Sequence, residues 1–187
     1  MPAALLPKEE VLERLFEIFR ERGYEGTSLS ELSEATGLGR SSLYHYFPGG
    51  KDDMAASVLA HLDGLMEKAL HGPLATKATP RKKLDAMLAV IDTFYEGGAK
   101  ACVLERLCAS ANRPVIRRAL RRSFETWLTA FETLGVDAGI RRAVARTRAE
   151  DALARIEGAL VVVVGTGRPE AFARALEAVR TTLLVTE

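Results

Sequence analysis

Apolar side chains recur at helical spacing in segment after segment of this chain. In the first segment Leu12, Leu15, Phe16 and Phe19 form a stripe, with Glu9, Glu10, Glu13, Arg14, Glu17 and Glu21 on the other face. Gly23 ends it, and Ser28-x-x-Glu31 reads as a capping box opening a short second helix with Leu29 and Leu32 inward. Gly37 closes that helix, and a third runs from Arg40 to Phe47, stopped by Pro48-Gly49-Gly50. Residues 51–71 form a longer helix with Met54, Val58, Leu62 and Leu65 on one side, broken at Gly72-Pro73. Further helices are expected at about 80–97, 101–112, 114–134, 148–164 and 170–185, with Thr147-x-x-Glu150 as another capping box. With 187 residues, 48% apolar, the chain can bury a core without staples. The expected class is all-α. The division is a three-helix unit over 1–50, a connecting helix over 51–72 and a helical domain over 73–187.

One stretch competes with this reading. Val161 to Val164 is β-branched and precedes Gly165-Thr166-Gly167, like a strand entering a dinucleotide-binding turn. The third glycine is missing, Glu170 standing in its place, and no alternating strands exist elsewhere. Helical spacing continues upstream through Leu153, Ile156, Leu160 and Val164, so the glycines are expected to end one helix before Pro169 begins the next. Three histidines and two cysteines argue against a zinc site and a disulfide scaffold. Cys102 and Cys108, if on one helix, stand about 9 Å apart along its axis, beyond disulfide reach. Buried structural cysteines are the expectation. No run of 18 apolar residues indicates a membrane span, and residues 1–7 lack a secretory pattern. A cytoplasmic location, with no cofactor and no metal, is expected.

The informative stretch is Leu38 to Phe47. Two short helices joined by a glycine-containing turn make a helix-turn-helix. On the second of them Leu43 and Phe47 lie four apart and face inward, while Arg40, Ser41, Tyr44 and His45 share the outer face. Arginine can grip a guanine edge with two bonds, and hydroxyl, phenol and imidazole groups can donate to phosphate oxygens. The charge balance cuts the other way. Residues 1–50 carry five Lys/Arg and eight Asp/Glu, a net of −3. Yet no carboxylate occurs from Ala35 through Lys51, and phosphate contact is local.

Gly23-Tyr24-Glu25-Gly26-Thr27-Ser28-Leu29, then Gly37-Leu38-Gly39-Arg40-Ser41-Ser42-Leu43-Tyr44-His45-Tyr46-Phe47, then Lys51, together resemble the TetR family of bacterial transcriptional regulators over residues 8–55. The Pro48-Gly49-Gly50-Lys51 form resembles its LmrA-like branch. The resemblance implies double-stranded DNA as partner, with Thr27, Tyr44, His45, Tyr46 and Lys51 on phosphates. It places Arg40, Ser41 and Ser42 at base edges. Gly39 departs from the serine or threonine the family often has there, though glycine caps a helix nearly as well.

The resemblance further implies a C-terminal ligand-binding and dimerisation domain. Ile116, Leu120, Phe124, Trp127, Leu128 and Phe131 line one helix, and Met87, Ile91, Phe94 and Tyr95 another. Such stripes are core before they are pocket, but the soft and polar-tipped members suit an adaptable apolar site. The pocket candidates are Leu62, Met66, Met87, Ile91, Tyr95, Glu105, Cys108, Phe124, Trp127 and Phe131. Glu105 reads either as a surface glutamate beside Arg106 or as a carboxylate for a cationic ligand. The arginines 117, 118, 121 and 122 read as a solvated basic face or as a dock for an acidic ligand or partner. Leu153, Ile156, Leu160, Val164, Phe172, Leu176, Val179 and Leu183 on the last two helices are the expected homodimer interface, a four-helix contact with a second copy.

Three functions compete. The first is a repressor released from a palindromic operator by a small, largely apolar ligand, whose binding shifts the two recognition helices. The second is a DNA-binding co-regulator without an effector. The third is a small-molecule-processing helical enzyme, for which the sequence offers no nucleophile–base pair, metal cluster or paired carboxylates.

Overall fold

A computed structural model describes residues 6–185; residues 1–5, part of the stretch read above for a secretory pattern, lie outside them. Helices follow one another without a strand among the described residues: α1 (Lys8–Arg22), α2 (Leu29–Thr36), α3 (Arg40–Tyr46), α4 (Gly50–Met66), α5 (Pro80–Phe94), α6 (Val103–Cys108), α7 (Pro114–Asp137), α8 (Arg142–Thr166) and α9 (Glu170–Thr182). The chain divides into two compact units. The first holds residues 1–62 and 103–123, the second 63–102 and 124–187. Residues 103–123 thus group with the N-terminal helices, which no sequence boundary indicated.

In the first unit α1 packs on α2 and on α6, and α2 on α3. Val11, Leu15, Phe19, Leu32, Leu43, Phe47, Met54, Val58 and Leu104 are its buried centre. The Ser28 capping box forms in full: its hydroxyl accepts from the Glu31 amide at 3.2 Å, and Glu31 accepts from the Ser28 amide at 2.7 Å. The Ser28 amide donating to it holds the Glu31 carboxyl below its ordinary pKa. Ser28→Ala should cost about 1 kcal/mol, read by thermal unfolding; no change would mean that α2 starts without its cap. Gly37 closes α2 in the left-handed conformation, φ 70°. Gly23 differs from that expectation. Its φ is 69° but its ψ is −175°, and a Cβ there would stand 3.2 Å from the Arg106 carbonyl oxygen. Close backbone approach between α1 and α6 is what the glycine permits.

In the second unit α8 lies along α9, and α5 also packs on α9. Trp127, Phe131, Tyr95, Phe172, Met87 and Ile156 are buried there. Gly98 has φ 94°, and a Cβ would lie 2.7 Å from the Phe172 Cβ. Gly98→Ala should therefore cost at least about 2 kcal/mol, through strained backbone and a blocked ring. Calorimetry would register that as a fall in Tm of about 4–8 °C, and an unchanged Tm would contradict the packing.

Several expected boundaries move. The fourth helix ends at Met66 and continues as a π-helical turn, Glu67–His71. Leu65 is 45% exposed and Met66 is buried, because successive i, i+4 steps from Met54 through Val58 and Leu62 arrive at 66. The helix expected over 101–112 spans only Val103–Cys108. The helix expected from 148 begins at Arg142, since Ala145, Ala149 and Ala152 extend its buried stripe backward. Thr147 is consequently no cap; its hydroxyl donates to the Ala143 carbonyl within the helix at 3.2 Å. Val161 to Gly165 is helical, and Gly167 closes α8 with φ 68°, so the strand reading of 161–164 fails.

Candidate nucleic-acid interface

α3 is held from beneath. Leu43 and Phe47 are 1% and 0% exposed, and the Leu43 amide donates to the Gly39 carbonyl at 3.0 Å, starting the helix without a side-chain cap. The opposite face carries Arg40, Ser41, Tyr44 and His45, all exposed, with Ser42 half-buried at its edge. Arg40 donates to the Ser30 hydroxyl at 2.6 Å. That bond uses one of five guanidinium donors and steadies the stem. The Tyr44 ring lies on the turn after α3, where a Cβ on Gly50 would stand 3.4 Å from its Cε1. Four of the eight expected DNA-contacting residues therefore share one exposed face.

The remaining four are placed differently. Thr27 is 1% exposed and its hydroxyl donates to the Gly23 carbonyl at 2.7 Å, so it pins the turn between α1 and α2. Tyr46 is half-buried and donates to the Leu6 carbonyl at 2.6 Å. Ser42 sits at the rim of the face. Lys51 does not extend freely: its ammonium lies 4.1 Å from the centre of the Tyr24 ring. Burial pushes the Lys51 pKa down, while the Glu25 carboxylate pulls it back up.

Sequence reasoning missed the group that holds Lys51. Tyr24 is 4% exposed, and its phenol donates to Asp52. Burial first, and that bond second, push its pKa up to about 12. Arg113 reaches the same ring, its guanidinium 4.6 Å from the centre, and donates to Asp52 at 3.1 Å. Glu25 lies 3.9 Å from Arg113 Nε. Arg113 thus offsets two carboxylates beside Lys51, from a position 61 residues beyond Asp52. Only the lack of carboxylates around Arg113 hinted at this in the sequence.

The pocket candidates do not share one unit. Leu62, Glu105 and Cys108 belong to the first; Met66, Met87, Ile91, Tyr95, Phe124, Trp127 and Phe131 belong to the second. Glu105 is a surface group, its side chain 41% exposed and 3.7 Å from Arg106. Cys108 is exposed, against expectation, because α6 ends at it; Cys102 precedes α6 and is buried, accepting from the Tyr95 hydroxyl at 3.2 Å. The expected dimer residues are placed mostly inside the protomer. Leu153, Ile156, Leu160, Phe172, Leu176, Val179 and Leu183 are all under 9% exposed within one protomer. α8 and α9 cover each other's stripes. Only Val164 of that set is exposed, together with its neighbours Val161 and Val162.

Comparison with known proteins agrees with this geometry. Residues 11–58 match the family model described as bacterial regulatory proteins, tetR family. The chain is 21% identical over 160 residues to the HTH-type transcriptional regulator LmrA of Bacillus subtilis, covering 83% of this chain and 85% of that one. It is 23% identical to the HTH-type transcriptional repressor DhaR of a Mycobacterium species, over 79% and 74% of the two chains. Among solved structures, a TetR transcriptional regulator from Legionella pneumophila superposes with a TM-score of 0.86 at 17% identity, over 97% and 99% of the chains. These relatives are regulators and not enzymes, which disposes of the processing-enzyme reading. Residues 11–58 carry a tetR-family helix-turn-helix domain, and the chain is a DNA-binding transcriptional regulator similar to that family over most of its length.

Proposed function

We propose that the chain is a cytoplasmic repressor that grips an inverted-repeat operator as a homodimer and is released by a small, largely apolar ligand. The observation that carries the DNA half is the face of α3: Arg40, Ser41, Tyr44 and His45 exposed over a Leu43–Phe47 anchor. Arg40 with Ser41 would meet base edges, and Tyr44 with His45 would meet phosphates. Ser42 and Lys51 would act from the rim, and Thr27 and Tyr46 by fixing the backbone that presents the face. The functional division proposed is 1–50 for DNA, 51–72 as connection, and 73–187 for ligand and partner. Residues 103–123 complete the first compact unit.

For the homodimer the supporting feature is a surface, not the stripes predicted from sequence. A groove of about 320 Å³ on α8 and α9 is lined by Arg155, Gly158, Ala159, Val162, Ala171, Arg174 and Ala175. Val161 and Val164 flank it, about half exposed. Small residues there permit close approach of a second copy of the same surface, as an isologous contact requires. Two recognition helices in such a dimer would stand about 34–36 Å apart, one turn of B-DNA.

For the ligand the support is softer side chains in the second unit: Met66, Met87, Ile91, Tyr95, Trp127 and Phe131 are buried there, with Phe124 half-buried. A ligand there would shift the population between two dimer shapes. DhaR, by its name a repressor, favours repression over activation.

The test is a reporter whose promoter carries the best duplex selected by the protein from random DNA. Wild type should lower the transcript and Tyr44→Ala should not; a raised transcript would replace repressor with activator. Hydrophobic compounds that restore transcription with wild type but not with Trp127→Ala support ligand release. A panel that never restores it favours the co-regulator without effector.

A further inference from the structure

The first compact unit owes its cationic character to a segment outside the helix-turn-helix. Residues 1–62 carry six Lys/Arg and ten Asp/Glu, a net of −4. Residues 103–123 carry six arginines and one glutamate, and bring the unit to +1. No carboxylate occurs from Arg106 through Phe124. On the first turns of α7, Ile116, Leu120 and Ser123 are buried, while Arg117, Arg118, Arg121 and Arg122 are exposed. Arginines on other helices are found beside carboxylates, as exposed Arg22 pairs with Glu31 and half-buried Arg146 with Glu125. Among the described residues no ion pair or side-chain hydrogen bond engages Arg117, Arg118 or Arg121. Three cations left without counterions within two turns of a helix repel one another, and an external anion relieves that cost.

The position of this row points to which anion. Arg113 heads it: the Arg117 amide donates to the Arg113 carbonyl at 2.9 Å. The Arg113 guanidinium shares the Tyr24 ring with Lys51, at 4.6 and 4.1 Å from its centre. α7 therefore begins beside the lysine that the family resemblance places on phosphate. Along the helix axis Arg117 lies about 6 Å beyond Arg113 and Arg121 about 12 Å. Both distances are near the screening length of about 10 Å at 0.1 M salt. Guanidinium groups are weakly hydrated and bind phosphate with two parallel bonds.

We infer that Arg117, Arg118 and Arg121 form a second phosphate-contacting surface, which takes the DNA backbone outside the half-site entered by α3. The charge that residues 1–50 lack is supplied from here. This inference rests on DNA binding by α3, and its test separates the two.

The probe is the tightest duplex selected by the wild-type protein from a random 40-bp pool, used whole and trimmed stepwise from both ends. Binding is followed by fluorescence anisotropy across a series of KCl concentrations. The variant is Arg117→Gln/Arg118→Gln/Arg121→Gln, in which glutamine keeps helix propensity; the single Arg118→Gln serves if the triple variant does not fold. On the whole duplex the triple variant should bind at least about tenfold more weakly at 0.1 M salt. The slope of log K against log salt should shrink by about 0.9 for each phosphate that the variant no longer neutralises. Trimming should cost the wild type the same factor and the variant nothing. Equal affinity and slope for variant and wild type on the whole duplex would overturn the inference, leaving the row as a solvated face or a dock for an acidic protein. So would an equal loss on whole and fully trimmed duplexes. Tyr44→Ala should lose affinity at every length; if it does not, the fault lies in the α3 interface and not in the arginine row.

Discussion

Tyr44→Ala should weaken duplex binding about a hundred-fold while leaving the unfolding transition in place. The phenol is 46% exposed, so its removal opens no cavity. Its ring rests on the turn at Gly50, which orients the hydroxyl before DNA arrives. Each hydrogen bond to a charged oxygen is worth about 1.5–3 kcal/mol. A homodimer loses it twice, about 3 kcal/mol or more, which is about two decades in Kd. Anisotropy with the selected duplex reads the first half of this result and calorimetry the second. A variant that binds normally, or one whose Tm falls by several degrees, would mean that Tyr44 serves the fold rather than the DNA.

An equally large effect is expected at the far end of the chain. Val162→Glu should yield a monomer at micromolar concentration and lower duplex affinity by about a thousand-fold or more. Val162 is 49% exposed in the groove beside Gly158 and Ala159. A carboxylate there would be desolvated against its own copy in a two-fold contact and would break the close approach that the small side chains permit. Without the dimer the second half-site is no longer presented at millimolar effective concentration. Leu160→Glu behaves differently in this account: Leu160 is 2% exposed, so the chain should unfold rather than dissociate. Sedimentation together with circular dichroism distinguishes the two. A Val162→Glu dimer, or a folded Leu160→Glu monomer, would restore the interface predicted from the apolar stripes.

That reversal explains what was legible in the sequence and what was not. The α3 face could be read because it depends on one period: Leu43 and Phe47 four apart decide which way Arg40 and Tyr44 point. The same logic identified the stripes of the last two helices but not what covers them. A row such as Leu153, Ile156 and Leu160 needs an apolar neighbour, and α9 of the same chain satisfies it as well as a second copy would. Thr147 shows a related limit. A Ser/Thr-x-x-Glu pattern marks a cap only where the preceding residues cannot be helical, and Arg142 to Arg146 can. The Tyr24–Asp52–Arg113 group was hidden for another reason, since the pairing spans 61 residues and no periodic signal reports it. For the same reason the net of −3 over residues 1–50 misled: the compensating arginines lie beyond residue 103 and fold into the same unit. Charge is a property of a surface, and its sequence address can be remote.

Base preference tests the account at its root. Wild type, Arg40→Gln and Lys51→Gln are each titrated against every single-base-pair variant of the selected duplex. Arg40→Gln should lose discrimination of about 1–3 kcal/mol at one base pair in each half-site and little elsewhere. Lys51→Gln should bind every sequence more weakly by one common factor and keep the wild-type order. If Arg40→Gln leaves both affinity and sequence order untouched, α3 does not read the groove and the interface lies elsewhere on the protein.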